Sequence, residues 1–207
     1  MIVQERNRKM KKILAIVVAL ACVFGMMSCG GSSPVAAFKT AINETNPTSV
    51  KIETKLETIL GDYVGEINAV YAADGSATIT YSYEKPNDPT AEGVTELVST
   101  ITGTVELAAD GTYSDGGTLV GTVTGAGGYK LNLDEGKMKN VEVSGNALTA
   151  TVEAANTQKV LGVAIEVDVE MTLTKGESGI VSLVLTYTTE QGPATIVCTY
   201  QQAAAAE

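Results

Sequence analysis

Histidine and tryptophan are absent from the 207 residues, and both arginines, Arg6 and Arg8, lie near the start of the chain. Without histidine there is no imidazole general base, no imidazole metal ligand and no Ser-His-Asp triad. Without arginine in the rest of the chain, there is no bidentate clamp for a phosphate or carboxylate substrate. These absences predict that the protein is not an enzyme, and no residue pattern indicates a catalytic group, a cofactor or a metal.

Cysteine is also scarce, with Cys22 and Cys29 near the start and Cys198 near the end. Once the first two are assigned to the leader, one cysteine is left, and one cysteine forms no intramolecular disulfide framework. Cys198 lies in the strand-like stretch ATIVCTY. That setting favours a small buried hydrophobic side chain over a reactive thiol.

The start of the chain has the layout of an exported protein. Lys9, Lys11 and Lys12 precede an apolar run over 13–27, which is shorter than the roughly 20 residues of a comfortable membrane span. The order of basic cluster and apolar run predicts a secretory signal peptide over residues 1–28. An uncleaved anchor helix is the alternative that the same residues leave open.

Residues 26–29, with the sequence Met-Met-Ser-Cys, resemble the lipobox of bacterial lipoproteins. The resemblance implies that Cys29 carries acyl chains such as palmitate and becomes the mature N-terminus, with residues 29–33 as lipidated cysteine and tether. Cys22 is a rival position for the modification, and an ordinary cleaved signal is a second alternative. The implied location is the cell envelope, with the chain anchored to the outer face of the cytoplasmic membrane or to the outer membrane.

Basic residues are also few after residue 28. After residue 28 the chain has nine lysines, no arginine and 23 acidic residues, and so a net charge of −14. Nucleic-acid binding needs a basic footprint, so this composition excludes it. The same charge repels anionic headgroups, and membrane attachment therefore depends on acyl chains rather than on a basic patch.

Two hydrophobic periods divide the rest of the chain, residues 34–207, which we interpret as one β-rich domain. Over 34–45, Val35, Phe38 and Ile42 share one helical face, and Ser33 and Pro34 suit the cap and the first turn. From residue 48 onward the period is two, which predicts about ten or eleven antiparallel strands joined by turns such as the twice-used AADG. The predicted strands cover 48–60, 63–72, 77–84, 94–108, 118–124, 129–133, 138–143, 147–153, 163–174, 181–187 and 196–200.

Strands that are apolar on one face only must cover that face. We therefore predict a mostly β fold, in which a single meandering sheet curls into a barrel or half-barrel with the one short N-terminal helix as its plug. A β-sandwich is the alternative. The pattern over 34–85 is similar to that of LolA-like lipoproteins. This resemblance implies a half-open barrel that shelters acyl chains, and it implies no role for any particular residue.

Three stretches contain residues that could form a metal or phosphate site, but an ordinary structural role is favoured for each. Glu166, Asp168 and Glu170 alternate on one predicted strand face, which indicates a solvated face rather than a calcium site. Residues 110–117 lack the spacing of a calcium loop and are interpreted as a turn. Residues 121–128 are rich in glycine but open no helix, so they indicate bends rather than a phosphate loop.

Tyrosines on the apolar faces of several strands suggest a pocket with apolar walls and a few hydroxyl groups. The predicted pocket residues are Ile79, Tyr81, Tyr83, Tyr187 and Tyr200. An ordinary packed core is the alternative explanation. The leading functional hypothesis is a non-enzymatic, lipid-anchored envelope protein that binds an apolar small molecule or lipid in the concave face of its sheet. The alternative is a structural or protein-interaction module with a fully packed core.

The acylation site is testable by substitution. We expect Cys29→Ala to keep its leader and to lose the incorporated fatty-acid label, because the thioether needs the thiol, whereas Cys22→Ala should be labelled and processed as the natural chain is. The measurement is metabolic labelling with a palmitate analogue, followed by intact mass. Equal labelling of Cys29→Ala and the natural chain would contradict the lipobox assignment.

Overall fold

The structure is a computed structural model, and it describes residues 33–59, 61–87, 98–114 and 131–202. Several predictions fall outside these ranges: the leader and Cys29, the start of the strand over 94–108, the strand over 118–124 and the glycine-rich stretch over 121–128. They stay predictions.

Nine strands and two α-helices lie in the described ranges. The helices are α1 (Pro34–Glu44) and α2 (Thr157–Leu161), with 3-10 turns at Glu135–Lys137 and Ala154–Asn156. The strands are β1 (Pro47–Thr58), β2 (Gly61–Tyr71), β3 (Ala77–Pro86), β4 (Val98–Leu107), β5 (Met138–Ser144), β6 (Ala147–Val152), β7 (Val169–Lys175), β8 (Ile180–Thr189) and β9 (Gly192–Gln202).

Helix α1 forms as the sequence predicts. The Ser33 side chain accepts a hydrogen bond from the backbone N–H of Val35 at 3.3 Å, and proline stands at the first helical position. These two residues fix the start of the helix, because its first N–H groups have no partner within the helix. Val35, Phe38 and Ile42 are buried, so the predicted apolar face is the one that packs.

The nine strands form one antiparallel sheet in the order β4-β3-β2-β1-β9-β8-β7-β6-β5. Each strand pairs with its neighbour along the chain except at one place, between β4 and β5, and the first strand pairs with the last along Pro47–Leu56. The architecture is therefore an up-and-down half-barrel that is open between β4 and β5. The predicted mostly β half-barrel is confirmed, and the sandwich alternative is wrong.

Among the described strands the meander is interrupted once. β4 and β5 are at opposite edges of the sheet, and β5 to β9 lead back toward β1. The predicted strand over 129–133 is wrong where it is described, since residues 131–133 have no strand structure. Leu131 and Leu133 are instead buried beside the sheet.

The apolar face of the sheet turns inward around α1. Cross-strand pairing brings the inward side chains into rows, and the central row is almost fully buried. It runs through Ile67, Ile52, Cys198, Leu183, Leu173 and Leu148. Side chains of α1 belong to the same core. The other face carries the alternate residues, which are mainly threonine, serine and charged side chains.

The repeated AADG stretch makes the same turn twice, as predicted. In the first copy, the N–H of Ala72 donates to the carbonyl of Ser76 at 2.8 Å, and in the second the N–H of Ala108 donates to that of Thr112 at 2.9 Å. Both glycines, Gly75 and Gly111, have positive φ (86° and 88°), a conformation that suits glycine.

The predicted strand over 163–174 is correct only from Val169 onward. Residues 157–161 form α2, which ends at Gly162 with φ 75°, and the chain then bends as far as residue 168. The buried Thr157 hydroxyl accepts from the N–H of Ile165 at 2.9 Å. The threonine hydroxyl thus gives the N–H of Ile165 the acceptor that a neighbouring strand would provide in a sheet. Alternating apolar residues thus fit an irregular segment equally well.

A second buried threonine joins α1 to the sheet and gives a stability test. Thr45 Oγ1 donates to the carbonyl of Ala41 at 2.7 Å and accepts from the N–H of Ile180, the first residue of β8, at 2.8 Å. Thr45→Val leaves that buried N–H without its acceptor, and we expect a loss of about 1–3 kcal/mol in the free energy of unfolding. Urea unfolding measures it.

Thr40→Val is the matched control. The Thr40 hydroxyl makes the same kind of bond to the carbonyl four residues earlier, Ala36, but it is exposed and accepts from no strand. We expect a change within about 0.5 kcal/mol. Equal losses in the two variants would show that the contact between Thr45 and Ile180 does not stabilise the fold.

Candidate functional site

The two ends of the half-barrel differ in how well the inward face is covered. We call the end with the β1–β2 and β8–β9 turns, at Thr58–Gly61 and Thr189–Gly192, the open end. Toward it, one cross-strand row is buried on β6, β7 and β8 but only half-buried on β9, β1, β2 and β3. Its residues are Ala150, Met171, Leu185, Ile196, Thr54, Gly65 and Tyr83.

Helix α2 and the residues before β5 pack beside the part of this row that is buried, on β6, β7 and β8. Helix α2, which connects β6 to β7, adds Val160 and Leu161 to the core, and Leu131 and Leu133 precede β5. The N–H of Asn132 donates to the carbonyl of Val160 at 2.9 Å, which ties the two segments together.

A groove of about 590 Å³ lies where this cover is thinner, toward the open end. Its inward-facing lining consists of apolar, hydroxyl and aromatic side chains: Thr54, Leu56, Tyr63, Tyr83, Tyr187, Ala194 and Ile196. Residues that alternate with these to the outer face, such as Lys55 and Glu84, complete its border, and Glu190 and Gln191 stand at the turn. None of these inward-facing lining residues is charged. Lys85, the next residue in the inward phase of β3 after Tyr83, is exposed and lies outside the lining.

The structure places all five predicted pocket residues on the inward face but at different depths. Tyr83 and Tyr187 line the groove. Tyr81 stacks on Tyr83 with ring centroids 6.2 Å apart and an interplanar angle of 28°. Ile79 and Tyr200 lie in the packed core, 1% and 4% exposed.

Sequence reasoning missed Leu56, Tyr63 and Ile196. All three share the predicted inward phase of their strands, so the alternation could have included them. What it lacked was the position of each residue along the barrel. Residues near the far end are packed against the rest of the core, whereas residues near the open end line the groove.

A glycine determines where the Tyr81 ring lies. Tyr81 faces Gly103 across the β3–β4 pair, and a Cβ at Gly103 would overlap the Tyr81 hydroxyl oxygen. The ring therefore occupies the space that a side chain at this position would fill. Aromatic rings that cover a cross-strand glycine restore packing at an otherwise weak point of a sheet. Gly103 thus holds Tyr81 against Tyr83 at the edge of the groove.

Burial controls the electrostatics of the inward face. Desolvation raises the pKa of Tyr187, at the groove, and it raises the pKa of Cys198 to about 12. It is also the main reason that the pKa of Tyr200 is raised. Each group is therefore held in its neutral form at neutral pH. A wall of neutral hydroxyl and apolar groups can bind an apolar molecule and orient a polar end, but it offers no activated nucleophile.

The acidic residues that were weighed as a metal site do not lie together on one strand. Glu166 and Asp168 are in the bent segment before β7, and only Glu170 is in the strand. Asp168 accepts from the N–H of Ala154 at 3.0 Å, and Glu170 accepts from Thr151 at 2.9 Å. In the ranges that the structure covers, no cluster of acidic or cysteine side chains suits a metal ion.

Ion pairs cross the outer face beneath the groove. Lys55 lies 3.1 Å from Glu57 and 2.8 Å from Asp62 on β2. A hydrogen bond with Asp62 is the main cause that raises the lysine pKa. The pairs are exposed, and such pairs add little to stability.

No family model matches the sequence, and a search of curated proteins found no match. Among solved structures, the chain is similar to LprF from Mycobacterium bovis, with 11% sequence identity, coverage of 84% of this chain and 97% of that chain, and a TM-score of 0.43. No function is transferred from that protein. Among the residues that the structure describes, no helix has the length and apolar character needed to cross a membrane.

The raised pKa of Cys198 predicts how the protein behaves in alkali. In the unfolded chain a thiol ionises near pH 8.5, but in the folded protein its pKa is about 12. The contribution of the neutral thiol is therefore present below pH 8.5 and is lost as the pH rises toward 12. We expect stability to fall above pH 8.5, measured by urea unfolding at several pH values.

Cys198→Ala is the control, and its stability should fall less between pH 8.5 and 10. Thiol reagents at pH 8.5 should leave Cys198 unmodified in the folded protein and modify it in urea, because the side chain is buried and unionised. Rapid modification of the folded protein would contradict the packed environment described for this residue.

Proposed function

We propose that this protein is a non-enzymatic, lipid-anchored protein of the cell envelope that binds a lipid or another apolar molecule in the groove at the open end of its half-barrel. The observation that carries the proposal is the groove itself. About 590 Å³ remains at this end, bordered on the inward face by Leu56, Tyr63, Tyr187 and Ile196 and on the outer face by residues such as Lys55 and Glu84. This size lies within the range of ligand-binding pockets in proteins.

The chemistry of the lining supports an apolar ligand with a small polar part. Leu56, Ala194 and Ile196 supply apolar wall, and Tyr63, Tyr83 and Tyr187 supply rings with one hydroxyl each. Burying apolar ligand surface here would contribute about 25 cal/mol per Å². The groove also favours this function over an interaction module with a fully packed core, because such a module would fill this space with its own side chains.

The groove gives little support to catalysis. The chain has no histidine, and the groups with raised pKa are neutral hydroxyl and thiol groups rather than a coupled acid and base. Anchoring rests on the sequence alone, through the signal peptide and Cys29. It places the groove in the envelope, beside a supply of lipid.

Charge introduced into the groove tests the proposal. Leu56→Asp places a carboxylate on the inward wall, and a buried charge without a partner is costly next to an acyl chain. We expect the amount of non-covalently bound lipid in the purified full-length protein to fall by about tenfold or more, equivalent to about 1.4 kcal/mol. Native mass spectrometry and lipid extraction measure it.

Val70→Asp is the matched control, since Val70 is an exposed residue on the outer face of β2. It should retain bound lipid at the natural level. Thermal unfolding of both variants shows whether Leu56→Asp is folded; if it is not, Leu56→Trp, which fills the groove without charge, replaces it. A natural protein that carries no lipid, or a folded groove variant that carries as much as Val70→Asp, would overturn the proposal.

A further inference from the structure

The tip of the β1–β2 hairpin carries an unusual residue for its position. Thr58 pairs with Gly61, so the connection has two residues, and the first of them, Ile59, is 99% exposed. Two-residue hairpin connections normally use glycine, asparagine or aspartate, which tolerate the backbone geometry and water. Isoleucine is therefore unfavourable here for two reasons: its branched Cβ does not suit the backbone geometry of the turn, and its apolar side chain is exposed to water.

The tip is at the open end, next to the groove. Leu56 and Tyr63, which line the groove, are on the same hairpin and pair directly across it. Val64, also on the hairpin, is 49% exposed. The same hairpin thus carries exposed Ile59 at its tip, exposed Val64 on its outer face, and two lining residues of the groove on its inward face.

The start of α1 lies at the same end of the sheet. The Ser33 hydroxyl donates to Oε1 of Glu135 at 2.5 Å, and Glu135 stands three residues before Met138, the first residue of β5. Met138 pairs with Val152, and Val152 pairs with Val169. Thr186 pairs with Glu170, so the neighbouring Val169 is opposite Tyr187. Tyr187 pairs with Ala194, and Ala194 pairs with Leu56. Met138 and Leu56 therefore belong to the same cross-strand row.

Ser33, the first residue that the structure describes, is therefore on the open-end side of the sheet. Three residues separate Cys29 from Ser33, and the four extended steps from one Cα to the other reach at most about 14 Å. An acylated Cys29 would hold the open end, and not the far end, near the bilayer. Ile59 and the mouth of the groove then face the same surface as the anchor.

The charges beside the tip allow a close approach to lipid headgroups. Lys55 contacts both Glu57 and Asp62, the acidic residues that flank the tip, so the three side chains carry a net charge of −1. A hydrated ion-pair cluster of this kind suits the headgroup layer, and the acidic surface as a whole favours zwitterionic over anionic lipid.

We propose that Ile59 inserts into the bilayer to which the chain is anchored and holds the mouth of the groove against the lipid surface. This inference deepens the proposed function and rests on it. Apolar side chains of surface-bound proteins are buried about 5–10 Å into the headgroup and acyl boundary, and tyrosines such as Tyr63 suit that boundary. Lipid would then move between bilayer and groove without crossing open water.

The depth of residue 59 can be measured in the anchored protein. Full-length lipidated protein carrying Ile59→Cys or Val70→Cys is labelled with a bimane fluorophore and placed in phosphatidylcholine nanodiscs that contain a nitroxide-labelled lipid. Cys198 is buried, so the introduced thiol takes the label. Val70 is the matched position, since it is an exposed valine on β2 near the far end. We expect quenching at position 59 to exceed that at position 70 by about threefold or more.

Equal quenching at the two positions, or none at either, would overturn the docking. Ile59→Ser separates docking from ligand binding: we expect it to slow the loading of a fluorescent lipid from nanodiscs by about tenfold and to leave the affinity for that lipid in detergent unchanged. If position 59 is quenched but no variant binds lipid, the proposed function fails and the docking stands. If lipid binds normally but position 59 is not quenched, the docking alone fails.

Discussion

The fold depends on how a single sheet covers its one apolar face. Strands of ten to twelve residues, such as β1, β2 and β8, are about 35–40 Å long, whereas the 11 residues of α1 make a helix of about 16 Å. One helix of this length cannot cover the inward face of the whole nine-stranded sheet. The curl of the sheet, α2 and the residues before β5 provide more cover on the β5–β8 side. The groove is the part of the face that these elements leave less covered.

Local sequence signals predicted the elements well because each has a local physical cause. Ser33 and Pro34 fix the start of α1, the alternation fixes which side of each strand is apolar, and the glycines Gly75 and Gly111 fix the two AADG turns. The pairing of β1 with β9 could not be predicted in the same way, since it joins residues some 150 positions apart. The same holds for the positions of β4 and β5 at opposite edges of the sheet.

The wrong strand prediction at residues 163–168 and the division of the predicted pocket residues between core and groove have related causes. An apolar residue at every second position shows that one side of an extended segment is buried, but it does not show what pairs with the backbone. At Ile165 the Thr157 hydroxyl replaces a sheet neighbour. Likewise, the tyrosines were placed on the correct face, but their height along the barrel decides between core and groove. Tyr200 and Tyr187 share a face and differ in that height.

The proposed ligand lies in the groove at the open end of the inward face and in no other part of the molecule. Isotope-filtered nuclear Overhauser spectroscopy on protein saturated with a ¹³C-labelled fatty acid locates it. We expect contacts from chain methylene protons to the rings of Tyr63 and Tyr187 and none to the ring of Tyr200. Contacts with Tyr200, or a saturated sample in which neither groove ring contacts the chain, would show that the groove is not the ligand site.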